Sequence, residues 1–316
     1  MKKRPRVLIA DQRQFDHLDE LRTALPEAEL IIGETRAMTL ERIPDADIVF
    51  GLIDRELLQA ATSLQWVHID SAGVDSLPLS KLAARKIVLT NSQGLHADTI
   101  GDHVLAMILA FSRELPKYLR QQQARCWERN AQARELAGQT LGILGVGGIG
   151  TAVALRAKAF GMTVIGVRRS AQPHPDLDTQ YQLENLFDML ARCDFLAICC
   201  PLTEATRGLI NADALEQLPR GAFLVNIARG AIVDESALVQ ALANGHLGGA
   251  GLDVFESEPL SADSSLWDFP NVIITPHIAG RQSRGPEKAA RRFRENMARW
   301  KRGEPLKWQV DLSLGY

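Results

Sequence analysis

Short apolar runs separated by polar, helix-compatible stretches recur along the chain. In the first third they are Val7-Leu8-Ile9-Ala10, Leu30-Ile31-Ile32, Ile48-Val49-Phe50, Trp66-Val67-His68-Ile69 and Ile87-Val88-Leu89-Thr90. From Leu141 onward they are Leu141–Leu144, Thr163–Val167, Phe195–Cys200, Ala222–Asn226, Gly249–Asp253 and Val272–Thr275. This alternation predicts an α/β fold with parallel sheets. Between the two series, a turn-rich crossing at Asn91–Ala97 leads to a long apolar helix through Met107 to Phe111. Asp98 or Thr99 is expected to cap it, with Thr99 and Asp102 spaced as a capping box. Pro116 is expected to mark its end or a kink. The polar stretch from Gln121 to Ala137 is helical in composition. Pro286 is predicted to open a last helix and Gly303 to close it, with Phe293, Met297 and Trp300 as its apolar stripe. That helix is expected to pack back on the first series, its many arginines forming a solvated face.

One junction carries its own signature. Leu141-Gly142-Ile143-Leu144 passes into Gly145-Val146-Gly147-Gly148-Ile149-Gly150, of the form G-x-G-x-x-G. An Ala-rich segment, Ala152 to Phe160, follows and stops at Gly161. This reads as strand, tight turn and helix, with Gly161 as the C-terminal cap. Gly145 permits the turn, Gly147 lets the backbone approach a pyrophosphate without a Cβ in the way, and Gly150 lets the helix pack close on the strand. The free N–H groups and dipole of the helix start would hold the anion. Thr163–Val167 completes a βαβ unit. At its end, where an acidic residue would bond the ribose of NAD, stand Arg168, Arg169 and Ser170. Two cations and a hydroxyl suit a 2′-phosphate, so NADPH is the expected cofactor and NADH the secondary one.

Composition narrows the classes. The chain has 316 residues, enough for two domains, with 46% hydrophobic and 23% charged residues. A formal net charge of −2 argues against a nucleic-acid partner. No apolar run approaches membrane-spanning length. After the basic start Met1–Arg6, only Val7 to Ala10 is apolar, too short for a secretory core; a strand after a ragged terminus is expected. Cys126, Cys193, Cys199 and Cys200 fit no metal spacing and the histidines include no H-E-x-x-H, so no metal site is expected. Cys199 and Cys200 should point to opposite faces of a strand, and free buried thiols suit the cytoplasm.

Three late runs lead into residues with chemistry. Ala222–Asn226 is followed by Ile227-Ala228-Arg229-Gly230, Gly249–Asp253 by Val254-Phe255-Glu256-Ser257-Glu258-Pro259, and Val272–Thr275 by Pro276-His277-Ile278-Ala279-Gly280. In an open α/β sheet the carboxyl ends of strands share the ligand crevice. Arg229 can fork onto a carboxylate or polarise a carbonyl, His277 can deliver a proton and Glu258 can orient the imidazole. His96 and His103, isolated, read as structural or solvent-facing. The loop Asp70-Ser71-Ala72-Gly73-Val74-Asp75 reads as an ordinary turn, although its small residues would also let N–H groups converge on an anion, as in a nest.

Taken together, Gly145–Gly150, Pro201-Leu202-Thr203 with Thr206, Asn226–Gly230, Gly249–Pro259 and Thr275–His277 resemble the D-isomer-specific 2-hydroxyacid dehydrogenases over almost the whole chain. Arg168-Arg169-Ser170, Ser265-Leu266-Trp267 and the ending Gln309-Val310-Asp311…Gly315-Tyr316 look most like bacterial glyoxylate/hydroxypyruvate reductases of the A type. The resemblance implies that Arg229, Glu258 and His277 are catalytic. It further implies that Asp253 binds the nicotinamide carboxamide, that Pro201 and Thr206 line the cofactor, and that Thr99 lies near the pyrophosphate. The same resemblance has the backbone amides of Ala72, Gly73 and Val74 hold the substrate carboxylate. Asp102 stands where many relatives carry Glu, a change expected to be tolerated.

Two Rossmann-like α/β domains with parallel sheets are therefore expected. One is a discontinuous, flavodoxin-like substrate domain of residues 1–97 and 285–316; the other is a dinucleotide-binding domain of residues 98–284. The expected activity is NADPH-dependent reduction of a small 2-oxo acid to a D-2-hydroxy acid. The resemblance also implies a homodimer, with Gln121–Ala137 as the candidate exchanged arm. The alternatives are an NAD(P)-sensing binding protein of the same fold and a dehydrogenase for a bulkier 2-oxo acid or phosphoglycerate.

Overall fold

The structure, a computed structural model, describes residues 4–10, 12–129 and 133–316. Of the ragged terminus expected before Val7, residues 1–3 lie outside them. The chain forms two compact units, Met1–His96 with Gln282–Tyr316, and Ala97–Arg281.

In the first unit, β1 (Arg6–Ile9), β2 (Glu29–Ile32), β3 (Ile48–Phe50), β4 (Trp66–His68) and β5 (Val88–Thr90) form a parallel sheet in the order β2-β1-β3-β4-β5. This is the flavodoxin-like doubly wound order. Because successive side chains leave a strand on opposite faces, Val7, Ile9, Ile48 and Phe50 join one core layer and Leu8 and Val49 the other. The helix Gly285–Arg302 covers the first of these layers. Pro286 stands in its first turn, where a missing N–H costs nothing, and Gly303 takes the left-handed conformation that ends it. Its apolar stripe is buried on that face: Phe293 stacks on Trp66 at 5.2 Å between ring centres, and Trp300 does so at 5.7 Å. The tail then reaches the sheet edge, where Val310 N–H donates to Leu89 O at 2.9 Å.

In the second unit, β6 (Thr140–Leu144), β7 (Thr163–Val167), β8 (Thr179–Tyr181), β9 (Phe195–Ile198), β10 (Ala222–Asn226), β11 (Leu247–Leu252) and β12 (Val272–Ile274) are parallel, in the order β12-β11-β10-β9-β6-β7-β8. The strand order reverses between β6 and β9, the switch point at which such sheets bind ligands. Two core layers again divide alternate residues. Phe195 and Ala197 face one and Leu196 and Ile198 the other, and beyond the strand Cys199 and Cys200 follow the same alternation. Strand β8 is absent from the sequence reading because Thr179-Gln180-Tyr181 is a half-exposed edge without an apolar run.

Several expectations are corrected. The first helix of this unit runs Ala97–Ser112, so Asp98 and Thr99 lie inside it and neither caps it. No Thr99–Asp102 box forms, because Asp102 and Asp98 accept from Arg156 Nε and Nη2 at 2.6 and 3.3 Å. The break expected at Pro116 is present: the first helix ends at Ser112, and a second, Leu115–Gln123, opens after a left-handed Glu114 with Pro116 in its first turn. The helical reading of Gln121–Ala137 fails beyond Gln123, where Arg125 takes a left-handed φ of 53°; residues 124–129 and 133–137 are irregular, and 130–132 lie outside the described residues. Cys126 lies on the surface rather than in a core. Burial pushes the Cys193 and Cys200 thiols up to about 12.

Candidate active site

Arg229, Glu258 and His277 follow β10, β11 and β12, which are parallel neighbours, so all three stand at one carboxyl edge of one sheet. The turn carrying Arg229 is tied by Asn226, the last residue of β10. Its Oδ1 accepts from Ala228 N–H at 3.1 Å and its Nδ2 donates to Arg229 O at 3.0 Å. Gly230 then passes so near the next loop that a Cβ there would lie 1.8 Å from the carbonyl carbon of Phe255. No side chain fits, and that close passage sets Arg229 beside the loop of Glu258.

Glu258 uses both carboxylate oxygens. Oε1 accepts from Phe255 N–H at 3.0 Å, which fixes the side chain on its own loop, and Oε2 meets His277 Nδ1 at 2.7 Å. His277 has a left-handed φ of 53°, unfavourable for a residue with a Cβ and typical of sites where surrounding bonds dictate the backbone. One such bond runs from its N–H to Asp253 O at 2.9 Å. With Nδ1 held by the carboxylate, Nε2 is the nitrogen left for chemistry, and the side chain is half exposed.

Asp253 is 1% exposed. Its carboxylate accepts from Thr275 Oγ1, Ile278 N–H and Ala279 N–H, the last two at 2.9 and 2.8 Å. It therefore anchors the whole turn on which His277 sits. His103 joins this network: its Nε2 lies 3.1 Å from Thr275 Oγ1 and 3.9 Å from Asp253 Oδ1. As an isolated histidine in the sequence, His103 reads as structural or solvent-facing. The contact spans 172 residues, and the spacing of the motif gives no sign of it.

The glycine-rich turn meets the steric requirements of a dinucleotide site. Gly145 has φ 99°, and a Cβ there would lie 2.6 Å from Cys200 backbone atoms. A Cβ on Gly150 would lie 2.4 Å from Gly145 O, so helix and strand touch. A Cβ on Gly147 would meet nothing within 4 Å, so this approach is open. The helix Gly148–Ala159 starts there, with Gly148 and Ile149 in its first turn, and Gly161 closes it with φ 74°. Beyond β7, Arg168 is half-buried and Arg169 exposed, and Ser170 Oγ accepts from Gln172 N–H at 3.3 Å. Thr206 staples the loop after β9, donating to Pro201 O at 2.7 Å and accepting from Thr203 N–H at 2.8 Å. Thr99 is half-buried in the first turn of its helix.

The remaining candidates, Ala72, Gly73 and Val74, belong to the first unit. The carbonyls of Ser71, Ala72 and Gly73 accept from Ser92 N–H, Asn91 Nδ2 and Ser71 Oγ, at 3.1, 2.7 and 2.9 Å.

Residues 105–279 match the family model described as D-isomer specific 2-hydroxyacid dehydrogenase, NAD binding domain. The chain belongs to this family. It is 34% identical over 290 residues to D-3-phosphoglycerate dehydrogenase of Mycobacterium tuberculosis, covering 90% of the chain but 54% of that protein. The chain thus spans about half the length of the mycobacterial relatives it matches. It is 36% identical to the glyoxylate reductase of Korarchaeum cryptofilum, over 85% of the chain and 84% of the relative. Among solved structures it is similar to the NADPH-dependent glyoxylate/hydroxypyruvate reductase of Sinorhizobium meliloti in complex with NADP and sulfate. That likeness has a TM-score of 0.87 and 30% identity, covering 99% and 100% of the two chains.

Proposed function

We propose that the protein is an NADPH-preferring reductase of small 2-oxo acids of the glyoxylate/hydroxypyruvate type, producing D-2-hydroxy acids. The observation that carries the chemistry is the Glu258–His277 pair at 2.7 Å, on the strand edge it shares with Arg229. The open Gly147 approach and the cations after β7 fit a phosphorylated dinucleotide. When bound, the reduced nicotinamide supplies a hydride to the substrate carbonyl carbon. His277 Nε2 gives its proton to the carbonyl oxygen as that oxygen gains charge. Glu258 holds Nδ1–H, so the ring presents Nε2 in a fixed direction and its positive charge is balanced. Arg229 stabilises the developing oxyanion or the substrate carboxylate with its planar fork. The backbone amides of Ala72, Gly73 and Val74 are assigned to the substrate carboxylate, and Asp253, Thr99, Pro201 and Thr206 to the cofactor's surroundings.

The first unit is assigned as the substrate domain and the second as the cofactor domain. A homodimer with Gln121–Ala137 as its exchanged arm is part of the same reading; Trp127 there is 86% exposed. The test is a panel of glyoxylate, hydroxypyruvate, bulkier 2-oxo acids and, in the oxidative direction, D-3-phosphoglycerate, each assayed with both cofactors. Preference for a bulky or phosphorylated acid would overturn the substrate assignment.

A further inference from the structure

We infer that Gln180 and His174 are positioning residues for cofactor choice: they pre-shape the loop after β7 so that Arg168, Arg169 and Ser170 meet the 2′-phosphate of an adenine dinucleotide. The inference rests on the cofactor reading proposed above.

Gln180 lies on the edge strand β8, in register with Gly166 of β7. Its amide is used at both ends. Nε2 donates to Ser170 O at 2.8 Å, and Oε1 accepts from His174 N–H at 3.1 Å. Two points of the loop, four residues apart, are thus pinned to the sheet by one side chain. Between them the loop closes on itself, with Gln172 N–H donating to Ser170 Oγ at 3.3 Å and Arg168 Nη1 reaching Gln172 O at 3.5 Å.

The His174 ring makes the second tie. Nδ1 accepts from Asp176 N–H at 3.3 Å, so the other nitrogen carries the ring proton. Nε2 lies 3.1 Å from Thr151 Oγ1, which spends its own hydrogen on Gly147 O at 2.8 Å. These roles leave one consistent direction: Nε2–H donates to the Thr151 hydroxyl. His174 therefore links the loop to the first turn of the helix into which the glycine-rich motif leads. In a dinucleotide site that turn receives the pyrophosphate, and the end of the second strand receives the ribose. The bond spans the two places where one cofactor would be gripped. A cation on an unpinned loop loses ordering entropy when it meets a phosphate, whereas a pinned one has already lost it.

The test uses the protein and titration calorimetry with 2′,5′-ADP and with 5′-AMP, which differ only in the 2′-phosphate. Wild type should bind 2′,5′-ADP more tightly. Gln180→Met and His174→Ala should each weaken 2′,5′-ADP about tenfold, as expected for one or two lost hydrogen bonds, while 5′-AMP stays within about twofold. In steady state the same variants should raise KM for NADPH and leave KM for NADH nearly unchanged, a split that a merely structural role would not produce. Equal weakening of both nucleotides, or no weakening of either, overturns the positioning role. Indifference of the wild type to the 2′-phosphate would instead sink the cofactor reading itself.

Discussion

Replacing Glu258 by Gln keeps the size of the side chain and removes its charge, and the geometry turns this conservative change into a conflict. The carboxylate accepts from two N–H groups, Phe255 N–H at 3.0 Å and His277 Nδ1–H at 2.7 Å. A glutamine has one accepting oxygen. If that oxygen keeps Phe255, the NH₂ faces His277, and the ring must turn its Nδ1 lone pair toward it. A ring whose Nδ1 accepts has no spare proton to give from Nε2 without becoming an anion. If the oxygen keeps His277, the NH₂ meets Phe255 N–H donor to donor, which costs about 1–3 kcal/mol for the unsatisfied group. Either way the general acid is lost or the loop is strained. Since a general acid contributes about 10²–10⁴-fold, Glu258→Gln should lower kcat for reduction by at least about a hundredfold. Glu258→Ala lets water reach both N–H groups, so it should be no worse than the isosteric variant. The assay is steady-state reduction of glyoxylate with NADPH, with NADPH affinity as the control. A Glu258→Gln enzyme within about threefold of wild type would refute this account of the pair.

Other outcomes follow from the same structure. Gly230→Ala forces a Cβ onto the Phe255 backbone and should cost several times the ~1 kcal/mol of an ordinary substitution, read by urea unfolding, with Arg229-dependent turnover lost as well; a variant with unchanged midpoint would show that the two loops separate easily. Arg168→Asp should erode or reverse NADPH preference by about tenfold or more in kcat/KM, mainly through KM for NADPH, and an unchanged ratio would remove Arg168 from the phosphate site. His68 is fully buried, and that burial, with a smaller effect of Arg292, lowers its pKa from 6.5 to about 3. Its folded form binds fewer protons than the unfolded chain below pH ~6.5, so its contribution is present above that value and is lost as pH falls toward 3; at pH ~5 the loss is about 2 kcal/mol. His68→Leu should flatten the dependence of unfolding free energy on pH in that window, and an unchanged slope would contradict the assignment.

Elements buried on both faces are legible because the sequence announces them as apolar runs. Thr179-Gln180-Tyr181 escapes because this edge strand, half-exposed throughout, has no such run, and with it escape Gln180 and the tie it makes. The start of the helix at Ala97 is misread because Asp98, Thr99 and Asp102 have the residue types of caps, while tertiary contact with Arg156 takes both carboxylates. The three chemical residues are legible because each follows a strand directly, and parallel strands bring their ends together. The network behind them is not: His103 reaches Thr275 across the fold, and neither residue type nor local spacing encodes that meeting. Asp253 shows the converse, since its position is clear from the motif whereas its three bonds to the His277 turn emerge from the backbone path.

The most direct test of the central claim compares wild type with His277→Ala in NADPH-dependent reduction of glyoxylate and hydroxypyruvate, with NADPH binding measured on both. The wild type should turn over, and the variant should bind NADPH nearly as well while losing about a hundredfold or more in kcat. A wild type that binds NADPH but reduces no 2-oxo acid would instead support a nucleotide-sensing protein, and a variant retaining more than about half the rate would remove His277 as proton donor.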